Sequence, residues 1–146
     1  LIVGDGPEKS NLQKLTNSMN LENIIFTGDI EQQLIPSFLK IADILVLNSG
    51  YEGLSHVLLE GLHARIPAIA SSKGGNPEVI QHNVNGLLVE YNNFNDLRNK
   101  LFLLAKDESL LNKIKNNCQL SNNKFNWNNL VSQTLGIIEK ESKVNQ

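Results

Sequence analysis

The sequence contains a single cysteine, Cys118, in 146 residues. That excludes an internal disulfide framework and a cysteine-rich zinc site, and it makes a reducing cytoplasm the expected compartment. No apolar run approaches the roughly 20 residues of a membrane-spanning helix, and no signal peptide is visible. Neither sign of charge dominates. The 13 Lys and Arg against 15 Asp and Glu give a formal net charge of −2, which offers nothing to a nucleic-acid backbone. There is no internal repeat and no Pro, Gly or Ser-rich linker to divide residues 1–146, so one domain is expected. An initiator methionine is also lacking. The chain opens inside an apolar run, Leu1-Ile2-Val3, and is expected to be a piece of a longer protein. What is present is an ordinary globular composition, 40% hydrophobic and 19% charged.

Short β-rich runs alternate with helical segments, the pattern of an α/β domain with a mainly parallel sheet. Strands are expected at Leu1–Val3, Asn23–Thr27, Ile44–Leu47, Ile66–Ala70 and Gly86–Val89. Each is short, apolar and without alternation, as for strands covered on both faces. Helices are expected near Lys9–Ser18, Gln32–Ile41, Ser55–Ala64 and Pro77–Gln81. After Val89 the pattern turns wholly helical, at Asn95–Ala105, Glu108–Asn117 and Trp127–Glu141. Phe94, Leu97, Leu101 and Leu104 keep the helical period, and Leu130, Leu135 and Ile138 keep it more loosely. The polar tail from Glu141 to Gln146 is expected to fray.

In open parallel sheets, ligands bind beyond the carboxyl ends of the strands. Those ends carry Gly4-Asp5-Gly6-Pro7, Gly28-Asp29-Ile30, Ser49-Gly50-Tyr51-Glu52-Gly53 and Ser71-Ser72-Lys73-Gly74-Gly75-Asn76-Pro77-Glu78. Two glutamates, Glu52 and Glu60, bracket the start of the third expected helix. With a helix start near Ser55, the amides of Gly53, Leu54 and Ser55 are unpaired and carry the positive end of the dipole. A diphosphate fits there without a lysine. Glu60 lies about 7.5 Å further along the axis, within reach of vicinal ribose hydroxyls. Glu52 lies before the amides, where a second polyol such as a sugar would sit. Spacing alone equally allows a solvated helix with two surface glutamates and a Ser55 cap.

Other groupings are weaker. His56, Glu60 and His63 share a helix face, but no further ligands cluster with them, and no metal site is expected. His56 is expected near the ligand or half-buried, and His63 packed at the helix end. Gly4-Asp5-Gly6-Pro7 has Lys9 where a dinucleotide fingerprint needs its third glycine. It reads as a tight turn lining the cleft, with Pro7 opening a helix. Pro77 and Glu78 suit the first turn of another helix, while Gly74 and Gly75 either shape the loop or touch a ligand.

The run Tyr51-Glu52-Gly53-Leu54-Ser55-His56 through Leu58-Leu59-Glu60 is followed by Ile66-Pro67, Gly74-Gly75-Asn76-Pro77-Glu78 and Asn85-Gly86-Leu87-Leu88-Val89. In that order and spacing these residues resemble the C-terminal domain of glycosyltransferase family 4. Gly4-Asp5-Gly6-Pro7, Phe26-Thr27-Gly28, Ala42-Asp43 and Phe125-Asn126-Trp127 fit the same pattern. The resemblance covers nearly the whole chain. It implies a GT-B fold of two Rossmann-like domains, of which this chain is the donor-binding half with its C-terminal helices. It implies retaining transfer from a nucleotide-sugar (UDP-, GDP- or ADP-sugar) to a glycan or lipid-linked acceptor, with no cofactor and no required metal.

By the same resemblance Glu52 contacts the transferred sugar, Glu60 holds the ribose, and His56 lies close to the donor. The backbone of Gly53, Leu54 and Ser55 takes the diphosphate, and the backbone around Gly28 and Ile30 lies beside the base. The family's arginine and lysine on an early loop, and its acceptor-binding domain, have no counterpart in this sequence. The fragment alone is therefore expected to be inactive. Any attachment to the inner membrane face would depend on the half that is missing. Two positions depart from the family pattern: Gly61 stands where Ala is usual, and Arg65 where Gly is usual. The alternatives are a nucleotide-sugar epimerase of GT-B fold and a noncatalytic nucleotide-sugar-binding subunit.

Overall fold

The computed structural model describes residues 1–121 and 127–144. The chain forms two compact units, one from Leu1 to Phe38 and the other from Leu39 onward. The second unit contains a three-stranded parallel sheet in the order β1-β2-β3, with β1 at Leu45–Leu47, β2 at Ala68–Ser71 and β3 at Gly86–Val89. Leu45 pairs with Ala68, and Ala68 with Gly86, so the carboxyl ends of the strands share one rim. Helix α3 (His56–His63) links β1 to β2, and the short α4 (Asn76–Val79) lies between β2 and β3. Helices α5 (Phe94–Lys106) and α6 (Glu108–Ser121) follow, and α7 spans Trp127–Val144. This is the expected α/β, Rossmann-like architecture of a parallel sheet flanked by helices.

All four residues of β2 are buried, which explains a continuous apolar run without alternation. Leu58 and Leu62 of α3, Leu104 of α5 and Ile114 of α6 complete the same core. Cys118 belongs to it too, and burial pushes its thiol up to about 11. Phe94 does not. Its periodic partners Leu97 and Leu101 pack on the core, but Phe94 is the first residue of α5 and is 74% exposed. Leu135 and Ile138 are likewise exposed, and the Leu130 side chain lies outside the described residues. Phe125 and Asn126 lie outside them as well, as does the end of the polar tail, although α7 continues through Val144.

In the first unit, Leu1–Val3 and Asn23–Thr27 are not strands. They meet at a single parallel bridge, Ile2 to Phe26, held by Ile2 N–H to Ile25 O at 2.8 Å and Thr27 N–H to Ile2 O at 3.0 Å. The next pairing, Gly4 with Gly28, is an isolated antiparallel bridge, and both glycines leave the pleated region with φ of 119° and 71°, so no continuous ladder forms. Helix α1 is Lys9–Ser18 as expected, but Pro7 does not open it. Pro7 follows Gly6 in a turn closed by Lys9 N–H to Gly6 O at 3.1 Å, a position its fixed φ suits. The helix expected over Gln32–Ile41 divides into a 3-10 turn at Gln32–Leu34 and α2 at Ile35–Lys40. Pro36 has no N–H to return to Gln32 O, so an α-helical ladder cannot run through it.

Two other boundaries shift for local reasons. The helix expected at Pro77–Gln81 stops at Val79 because Asn85 claims its end. Asn85 Oδ1 accepts from Gln81 N–H at 2.7 Å, and Asn85 Nδ2 donates to Val79 O at 3.0 Å. The strand expected from Ile66 begins at Ala68 because Ile66 caps α3, donating to Gly61 O at 2.9 Å. Arg65 donates to Leu62 O at 3.1 Å and sits at φ 61°. Together these bonds form a Schellman cap with arginine at its left-handed position.

A non-glycine residue in that conformation costs roughly 1–2 kcal/mol, part of which glycine would return through its freer unfolded state. Arg65→Gly is therefore expected to stabilise the domain by about 1 kcal/mol, read from the urea midpoint. A lower midpoint would instead show that the Arg65 charge at the helix C-terminus outweighs the strain. Gly61 has a packing reason of its own. A Cβ there would lie 2.7 Å from Leu45 Cδ2, so the glycine lets α3 rest directly on β1.

Candidate functional site

The turn after β1 carries Glu52, and the first residues of α3 follow it. Ser55 occupies the N-cap position in extended conformation and is buried, yet its side chain makes no capping bond. Among the described residues, the amides of Gly53, Leu54, Ser55 and His56 have no acceptor. Ser55 and His56 stand at the positive end of α3, and Gly53 and Leu54 immediately precede it. Glu52 precedes them and is half-buried. Glu60, also half-buried, lies four residues into the helix, about 6 Å along its axis. The arrangement suits a dianionic group at the amides with a hydroxyl-bearing group on either side.

The Gly74-Gly75 pair holds this turn in place. A Cβ on Gly74 would lie 2.2 Å from Glu52 O, and one on Gly75 would lie 2.2 Å from Gly53 O. Neither position can carry a side chain while the two backbones touch. Gly75 N–H donates to Glu52 O at 2.9 Å, fixing the register of the contact. Both glycines therefore shape the loop that carries Glu52, which the sequence left open. On the far side of the turn, the Tyr91 ring lies over Gly50, where a Cβ would come 2.8 Å from Tyr91 Cζ. The sequence reading missed Tyr91. Its position after the last strand was the available signal, since it places the residue on the ligand-facing rim.

The predicted residues fall into two sets. Glu52, Gly53, Leu54, Ser55, His56 and Glu60 come together in the second unit. Gly28 and Ile30 belong to the first unit. There Gly28 is buried, and its carbonyl accepts from Gly4 N–H at 3.0 Å and from Thr27 Oγ1 at 2.9 Å. Lys9 donates to Asp5 Oδ2 at 2.6 Å, and Gly6 N–H donates to Asp5 Oδ1, which together hold the Asp5 carboxyl below its usual range. His56 and His63 are both exposed, so neither is half-buried nor packed at the helix end. Among the described residues, no three His, Cys, Asp or Glu side chains are grouped to hold a metal.

A groove of about 810 Å³ lies in the first unit between Gln13 and Phe26. It contains none of the predicted residues, and its lining offers one ionisable group, Glu22. The convergent amides and carboxylates of the α3 turn are the stronger basis for chemistry. No helix among the described residues is long and apolar enough to cross a membrane.

A family model described as glycosyl transferases group 1 matches residues 1–120. The chain belongs to this family. An uncharacterised glycosyltransferase of Methanocaldococcus jannaschii is 31% identical over 141 residues, covering 97% of this chain and 40% of the relative. The structure of Anabaena HepE in complex with UDP superposes with a TM-score of 0.77 at 26% identity. That match covers 97% of this chain and 40% of HepE. A C-terminal domain of a group 1 glycosyl transferase from Francisella tularensis gives 0.73 at 32% identity, covering 80% of this chain and 61% of that one. This group 1 chain thus spans about two fifths of the length of the M. jannaschii relative and of HepE.

Proposed function

We propose that this chain is the C-terminal, donor-binding part of a retaining family 4 glycosyltransferase of GT-B fold. It would transfer a hexose-type sugar from a nucleotide-sugar to a glycan or lipid-linked acceptor. The observation that carries the reading is the set of four unclaimed amides at the start of α3, set between Glu52 and Glu60. HepE was solved with UDP and also with UDP-glucose, which supports a nucleotide-sugar as the donor class. The F. tularensis domain supports the C-terminal placement.

In this reading the diphosphate rests on the amides of Gly53, Leu54 and Ser55, close to His56. Glu60 accepts from the ribose hydroxyls, and Glu52 faces the transferred sugar. As the glycosidic bond breaks, negative charge grows on the leaving diphosphate. Preorganised N–H donors stabilise that charge without reorganising, and each donor of this kind is worth about 10²–10³-fold in rate. No metal is needed for this step, because the helix terminus supplies the positive potential. The acceptor is bound by the other GT-B domain, so the 146-residue chain alone would turn over no donor. The reaction belongs to polysaccharide or glycolipid assembly in the cytoplasm, with any attachment to the inner membrane face made by the other domain.

The test is a screen of the complete protein against UDP-, GDP- and ADP-sugars by thermal shift, followed by NMR of the product's anomeric centre. One donor class should raise the melting temperature and yield product with retained configuration. Inversion would remove the retaining assignment, and full turnover by the isolated chain would remove the two-domain requirement.

A further inference from the structure

We infer that Asn76 is a positioning residue for Glu52, acting through Ser71 and Ser49; this rests on the donor-site reading above. Asn76 follows Gly75 and is fully buried at the start of α4. Its Nδ2 donates to Ser71 O at 3.1 Å and to Ser71 Oγ at 3.0 Å, at the carboxyl end of β2. Ser71 Oγ in turn donates to Ser49 O, three residues before Glu52. The Glu52 turn is therefore held from both sides. The Ser49 carbonyl is tied to Ser71 and through it to Asn76, and the Glu52 carbonyl is tied to Gly75, the residue beside Asn76. The amide orientation is fixed by chemistry, because the Ser71 carbonyl requires a donor and only Nδ2 supplies one.

The network's residues also carry polar atoms that no other protein group satisfies. Among the described residues, the buried side-chain atoms without a partner are Asn76 Oδ1 and Ser49 Oγ, on two of the residues that the network links. Orphaned polar atoms are rare in native interiors, and each is a penalty. Here both sit on residues of the polar chain that ties the ends of β1 and β2 to the Glu52 turn. A shift of about 1 Å in a catalytic group can cost on the order of 100-fold in rate, which gives such a chain a reason to persist.

Steady-state turnover of the preferred nucleotide-sugar and amide hydrogen exchange, both in the complete protein, test this with Asn76→Ala, Ser71→Ala and the double variant. Each single variant should lower kcat by about tenfold or more, with donor KM within about twofold of wild type. Exchange should accelerate at Gly75, whose N–H is bonded to Glu52 O, and not at Leu59, whose N–H is bonded to Ser55 O. The double variant should lose no more than the worse single one, since both interrupt one path, and Ser71→Cys should recover part of the loss. Unchanged exchange at Gly75, or a kcat loss that only follows the folded fraction, would overturn the inference. If Asn76→Ala does not fold, Ser71→Ala decides alone. If the wild-type protein turns over no nucleotide-sugar, the donor-site reading fails and the exchange measurement still decides the positioning.

Discussion

Gly75→Ala should reduce turnover by about 100-fold or more and destabilise the domain by about 1–3 kcal/mol. The added Cβ would lie 2.2 Å from Gly53 O and 2.9 Å from Gly53 C, both backbone atoms. No rotamer relieves that overlap, so the Glu52–Gly53 turn must move away. The move also breaks the bond from Gly75 N–H to Glu52 O. Glu52 and the amides behind it would shift together, disturbing the proposed sugar and phosphate contacts at once. Gly53→Ala is the stability control, because a Cβ there meets nothing within 4 Å. Urea unfolding of both variants and donor turnover by Gly75→Ala check the prediction. Normal turnover by Gly75→Ala would mean that the turn is not the working part of the site.

The second large effect is on chemistry alone. Glu52→Gln keeps the shape of the side chain and removes its charge. In the proposed transfer, positive charge develops on the sugar when the bond to the leaving diphosphate stretches. A carboxylate that faces it stabilises the transition state more than the bound donor. The expected loss is about 100-fold or more in kcat, with nucleoside diphosphate affinity within about twofold of wild type. A noncatalytic nucleotide-sugar-binding subunit would show intact function in this variant, and parallel steady-state and binding measurements separate the two cases.

How far the sequence anticipates this structure depends on the range of the interaction. Gly86–Val89 is found as expected because a strand covered on both faces leaves an unbroken apolar run. Helix α3 is found to within a residue at each end, since its period and turn are local. Leu1–Val3 carries the same apolar signal yet makes one bridge, because two glycines nearby turn out of the pleated region and break the ladder. The early end of α4 depends on the side chain of Asn85, six residues beyond Val79, and no local propensity reports that.

The site divides the same way. Glu52 and Glu60 are legible because eight positions of one turn and helix fix their spacing roughly. The seating of Gly74 and Gly75 on that turn joins segments more than twenty residues apart, and the sequence offers only a glycine pair as a hint. Asn76 looks in sequence like any polar residue at a helix start. Its bonds to Ser71 appear only once β2 and α4 are folded together.

The central claim is that Glu60 holds the ribose of a nucleotide whose phosphates rest on the α3 amides. Calorimetric titration of the complete protein with the ribo- and 2′-deoxy forms of its nucleoside diphosphate tests this directly. Hydrogen bonds to a charged carboxylate contribute about 1.5–3 kcal/mol, so Glu60→Ala should weaken ribonucleotide binding by roughly 10–150-fold. The 2′-deoxy form should bind wild type more weakly and should lose little further in Glu60→Ala. Equal affinity of wild type and Glu60→Ala for the ribonucleotide would contradict the assignment.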